Sequence, residues 1–136
     1  MATNMDLARR LLDAAGNDEL MARSLLSVKG VSDAGIGFHC QQTVEKAIKA
    51  VLAAKELEFP FTHNLKQLRD FATQSGIELP STLDDVEDLI PFAAAERYGS
   101  EAPLSLNRDQ AIGWASAAIA WARTIVQEPD RESMPE

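Results

Sequence analysis

A chain of 136 residues with 46% hydrophobic and 25% charged residues has the length and composition of one globular domain, large enough to build a core without metal or disulfides. Its one cysteine, Cys40, excludes an internal disulfide and a cysteine-based zinc site, and no apolar run approaches the ~20 residues of a membrane span. A net charge of −8 argues against a general nucleic-acid binder, whose affinity depends on neutralising phosphates.

The N-terminal stretch MATNMDLARRLLDAAG has Arg9 and Arg10 but no apolar run after them, so no signal peptide is expected and a cytoplasmic location is. The first helix is predicted from about Asn4 to Val28, with Leu7, Leu11, Leu12, Ala15, Leu25 and Leu26 among its apolar positions. Gly16-Asn17 is expected to bend it. Lys29-Gly30 ends it, glycine taking the left-handed cap.

Ser32 or Asp33 can cap the second helix. Gly35 and Gly37 lower helix propensity by about 1 kcal/mol each but leave room for close backbone approach. No phosphate-loop pattern accompanies them. The stripe Ile36, Cys40, Val44, Ala47, Ile48, Val51, Leu52 follows at helical spacing. Cys40 lies inside that stripe and reads as a small core residue. The opposite face carries Gln41, Gln42, Glu45, Lys46 and Lys49.

Pro60 biases Phe59 to an extended conformation. Thr62 or Asn64 can cap a third helix bearing Leu65, Leu68 and Phe71 and ending near Gly76. Pro80-Ser81-Thr82 before Leu83-Asp84-Asp85 predicts a fourth helix, reaching about Tyr98, with Pro91 bending or splitting it. A loop with Pro103 covers Gly99 to Leu106. Asn107 and Gln110 form a capping-box pattern for a last helix to about Gln127. That helix is apolar almost all round. Trp114 and Trp121, seven residues apart, share a side and are candidates both for the core and for a homodimer contact. The expected architecture is all-α, a four- to five-helix up-and-down bundle over residues 1–127, with a flexible tail over 128–136. No strand pattern and no repeat occurs.

Three groups could carry chemistry. Gln42, Glu45, Lys46 and Lys49 share a helix face, and Glu45 and Lys49 stand in the favourable order for an i,i+4 ion pair. They lie in a segment, 38–69, that holds five Lys/Arg against three acids, whereas 70–136 holds four against thirteen, so a local basic patch competes with a merely solvated face. His63, after Thr62 at a helix start, could serve as acid, base or phosphate contact, or simply orient the 59–63 connection. Arg97-Tyr98 could hold phosphate and stack on a base, or pack on an open end of the bundle. His39 and His63 have no carboxylate at ligand spacing, so neither a metal site nor a cofactor is expected.

The run FHCQQTVEKAIKAVL, then EFPFTHNLKQL, then AAAERY, resembles the pattern of the HEPN domains, nucleotide-binding helical modules of prokaryotes. There a Phe-x-x-Gln-Gln-x-x-Glu-Lys helix precedes a Thr-His-x-Leu helix start, and Arg-Tyr lies before the last helix. The likeness spans about residues 5–126. It implies an all-α homodimer working near nucleotides or RNA, as partner of a separate nucleotidyltransferase in a toxin–antitoxin-like pair. Gln42, Glu45, Lys46, Lys49, Thr62, His63, Arg97 and Tyr98 match its signature positions. Members that cleave RNA carry an Arg followed four to six residues later by His near the last helix. Here no histidine follows Arg97 or Arg108, which counts against metal-independent RNase activity, and Gly99 replaces the frequent proline after Arg-Tyr. The resemblance therefore implies a non-catalytic binding module. The alternatives are an RNase-type toxin using His63 and Arg97, and a plain dimerisation bundle.

Overall fold

A computed structural model describes residues 3–93 and 105–126. They include the α-helices α1 (Asn4–Leu25), α2 (Asp33–Ala54), α3 (Leu65–Gln74) and α4 (Arg108–Ile125), with two 3₁₀ turns, Ser81–Leu83 and Val86–Leu89, and a helical segment over 90–93 between α3 and α4. No strand occurs among the described residues. The fold is an all-α bundle, as the periodicity predicts.

The helix starts follow local chemistry. Thr3 and Asp6 form a reciprocal capping box at α1, at 3.0 and 2.9 Å. The side chains of Ser32, Asn64 and Asn107 accept from the backbone N–H groups of Gly35, Gln67 and Gln110. The ends of α2 and α3 are Schellman motifs. Leu57 N–H bonds to Leu52 O and Glu56 N–H to Ala53 O; Ile77 N–H bonds to Ala72 O and Gly76 N–H to Thr73 O. The left-handed residue is Gly76 after α3 (φ 85°) but Glu56 after α2 (φ 59°).

Three expectations change. The helix α1 stops at Leu25 rather than Val28, with Leu26 as a right-handed cap, and the left-handed Gly30 lies in the turns beyond it. The helix α1 runs unbroken through Gly16-Asn17, because Ala15, Asp18 and Ala22 are buried on either side and tertiary packing outweighs the ~1 kcal/mol that glycine costs. The expected helix from Ser81 is replaced by the two 3₁₀ turns. A continuous α-helix would drive the Pro91 ring into the carbonyl of Glu87; instead the chain restarts as α-helix at Ile90, and Pro91 falls in a first turn that has no use for its missing N–H. The rest of that helix toward Tyr98, the Pro103 loop and the tail 128–136 lie outside the described residues.

The centre of the bundle is α2, with 13 of its 22 residues buried, so it has almost no free side. It packs most extensively on α1 and then on α4. Ile36, Val44, Ile48, Val51 and Leu52 meet Leu12, Leu65, Leu68, Leu83, Leu89 and Ile119 in one core cluster. Among the described glycines, Gly37 is the one with a neighbour pressed against it: a Cβ there would sit 2.5 Å from the ring of the buried Phe92. Cys40 is fully buried, and that burial pushes its thiol up to about 12. It is a core residue, as its place in the stripe indicates. Trp114 is buried in the chain's own core, whereas Trp121 is only partly so. Of the two residues expected at a subunit contact, only Trp121 keeps an exposed edge.

Candidate functional site

The enclosure of α2 changes the meaning of its polar face. Glu45 does not lie in solvent: its side chain is 3% exposed, beneath the 59–64 connection. Glu45 Oε2 accepts from Lys49 Nζ at 3.0 Å and from His63 Nδ1 at 3.0 Å, and Oε1 accepts from Gln41 Nε2 at 3.2 Å. A buried carboxylate requires such donors, since an unpaired charge there is costly. Gln41 Nε2 also donates to His63 O at 3.0 Å. Both neighbours of that nitrogen are acceptors, which fixes the amide orientation and leaves the buried Gln41 Oε1 without a partner among the described residues.

With a carboxylate on Nδ1, the neutral imidazole of His63 carries its proton there and presents Nε2 as an acceptor. The His63 side chain is half exposed, so the unit can exchange a proton with solvent or a ligand. Thr62, next to it, is committed elsewhere: its hydroxyl donates to Gln67 Oε1 at 2.5 Å and accepts from Asn64 N–H at 3.1 Å.

Lys46, one residue from Glu45, joins a different carboxylate. Asp18 on α1 accepts from Lys46 Nζ at 2.6 Å and lies 3.0 Å from His39 Nδ1. Asp18 falls in the stripe Ala8, Leu12, Ala15, Ala22 and is carried inward against α2 by that periodicity. An acid inside an apolar stripe was the available signal, and sequence reasoning missed it, together with the pairing role of His39. Gln42 is partly buried, and its side chain makes no hydrogen bond among the described residues. The signature residues thus separate into two carboxylate-centred groups. Glu45, Lys49 and His63 meet, Lys46 pairs away from them, and Arg97 and Tyr98 lie outside the described residues.

Of the two readings left open over 38–69, a basic patch or a solvated face, the patch is largely neutralised within the chain. Lys46 meets Asp18 (2.6 Å), Lys49 meets Glu45 (3.0 Å), Lys66 meets Asp70 (2.9 Å) and Arg69 meets Glu87 (2.6 Å). The fifth, Lys55, is exposed and makes no ion pair among the described residues. Outside the segment, Arg108 at the start of α4 donates to Asp33 Oδ1 at 2.6 Å and to Val31 O at 2.9 Å. The Arg108 guanidinium, helped by the Leu106 N–H, holds the Asp33 carboxyl below its usual range. This clasp fastens the start of α4 to the start of α2.

Fold and site together define a helical bundle module whose central helix carries a buried Glu–Lys–Gln cluster under a half-exposed histidine. The family model of the HEPN domain matches residues 8–128, nearly the whole chain, and the chain belongs to that family. No curated protein and no solved structure matches it. No helix among the described residues is long and apolar enough to cross a membrane.

Proposed function

We propose that this chain is a non-catalytic HEPN module, a single bundle over residues 1–127 that forms a homodimer. It would serve as the binding subunit of a prokaryotic, cytoplasmic, toxin–antitoxin-like pair, engaging a nucleotide or RNA, a nucleotidyltransferase partner, or both. One observation carries the non-catalytic, partner-binding part of this reading and weighs against an RNA strand. Lys46, Lys49, Lys66 and Arg69 are each neutralised by a carboxylate of the same chain, so the segment that sequence marks as basic offers little charge to a phosphate backbone. The missing Arg-x-His element agrees with it.

The test is incubation of the purified chain, its dimer verified by sedimentation, with transfer, ribosomal and messenger RNA. No cleavage is expected, and a nucleotidyltransferase is expected to co-purify in fixed ratio from source cells. Reproducible cleavage abolished by His63→Ala would overturn the reading.

A second reading rests on the Glu45–His63 geometry. A carboxylate-oriented imidazole with an outward Nε2 suits a general acid–base, with Arg97 as the phosphate contact. On that reading Glu45→Gln and His63→Ala depress cleavage together.

A further inference from the structure

Phe61 is fully exposed, on the connection between α2 and α3. Single exposed aliphatic residues are common on protein surfaces. An entire phenyl ring in solvent on a segment fixed at both ends is a different matter. Upstream, Leu57 N–H closes on Leu52 O at 3.0 Å, Phe59 packs against the core and Pro60 fixes its own φ. Downstream, His63 is held by Glu45 through its ring and by Gln41 through its carbonyl. The His63 ring stands edge-on to Phe61, with centroids 6.4 Å apart. The backbone that bears the ring is therefore placed before any partner arrives, so only the ring's own rotamer remains to be ordered on contact. Aromatic side chains, with few rotatable bonds, are common anchors of protein interfaces.

We propose that Phe61 anchors this chain to a different protein, its ring entering an apolar pocket bordered by basic side chains. The charge pattern selects that occupant. Glu56 and Glu58 are exposed and make no ion pair among the described residues, against the single exposed Lys55 in the same connection. Glu56 also occupies a left-handed position that glycine takes at the end of α3. A second copy docked symmetrically on this segment would bring the same acids together, on chains of charge −8 each. An RNA strand would meet the same unfavourable field. A basic-rimmed protein pocket satisfies both the ring and the acids.

The inference rests on the partner-subunit reading above, and one experiment separates the two. The full-length chain is produced in its source cells with photoreactive benzoylphenylalanine at position 61 or, as a distant control, in place of Leu20, an exposed residue of α1. Crosslinked peptides are mapped by mass spectrometry. The expected result is a crosslink from position 61 to one other protein, at apolar residues flanked by Lys or Arg. With that purified partner, Phe61→Ala is expected to weaken affinity by roughly thirtyfold or more while leaving the circular dichroism unchanged. Glu56→Gln with Glu58→Gln is expected to slow association at low salt. Four outcomes overturn the proposal: a crosslink to RNA, one to a second copy, one to a surface neither apolar nor basic, or a partner captured from position 20 and not from 61. Absence of any crosslinked protein from both positions sinks the partner-subunit reading as well.

Discussion

Glu45 and His63 touch at 3.0 Å, but they sit on opposite sides of the protein boundary: one side chain is 3% exposed, the other 50%. The buried carboxylate holds the exposed ring, so the two residues differ in what their loss costs. Glu45→Ala leaves the largely buried Lys49 without its carboxylate and takes one of the two acceptors of the Gln41 amide, and is expected to cost about 3 kcal/mol, the scale of a broken buried pair. His63→Ala loses a solvent-screened contact and is expected to cost about 1 kcal/mol or less. Urea denaturation measures both, and hydrogen exchange at Thr62–Asn64 should rise in each variant. Equal losses would show that the histidine is a structural partner of the same rank as the acid.

Gly37→Ala tests the packing of α2 against Phe92. The added methyl meets the Phe92 ring at 2.5 Å, and a buried ring has little room to retreat. The expected loss is about 1–3 kcal/mol. In a Phe92→Ala background, which removes the clashing Cγ and Cδ1, the penalty of Gly37→Ala should be smaller, by differential scanning calorimetry.

Glu56→Gly is expected to stabilise the chain by about 0.5–1 kcal/mol, because glycine takes a left-handed cap position without the Cβ clash. The same substitution at an ordinary α2 position would destabilise it. A rise of a few degrees in Tm is the readout. If Glu56 is kept for contact with a partner, the stabilised variant binds that partner less well.

The clasp between Asp33 and Arg108 gives a pH dependence of defined sign. The Asp33 carboxyl titrates below its ordinary 3.8 when folded, so its contribution is present above that value and is lost as pH falls through the lowered one. Asp33→Asn should lose up to about 1 kcal/mol at neutral pH and show a shallower acid limb. Denaturation midpoints from pH 7 down to 3 measure it.

Most of the fold was legible in the sequence because it rests on local rules. The caps at Ser32, Asn64 and Asn107, the end of α3 near Gly76, and the core position of Cys40 all follow from neighbours within four residues. The Glu45–Lys49 pair was legible for the same reason. What failed was long in range. Lys46 finds Asp18 at a separation of 28 residues, on another helix, and no spacing rule connects them. The burial of Gln41 and Glu45 was hidden because a polar helix face reads as solvent-facing until a loop is known to cover it. The replacement of the fourth helix's first turns by 3₁₀ geometry depended on how far upstream Pro91 acts, which local signals bracket but do not fix.

The enclosure of α2 also limits how the chain can change through evolution. Its side chains address α1 through Lys46, the 59–64 connection through Glu45, and α4 through the core, all from one rigid rod. Inserting or deleting one residue between Ile36 and Ala53 would turn everything beyond it by about 100° and break all three engagements at once. Length variation among relatives should therefore gather outside that span, with α2 drifting only by substitution while the connections around it grow and shrink.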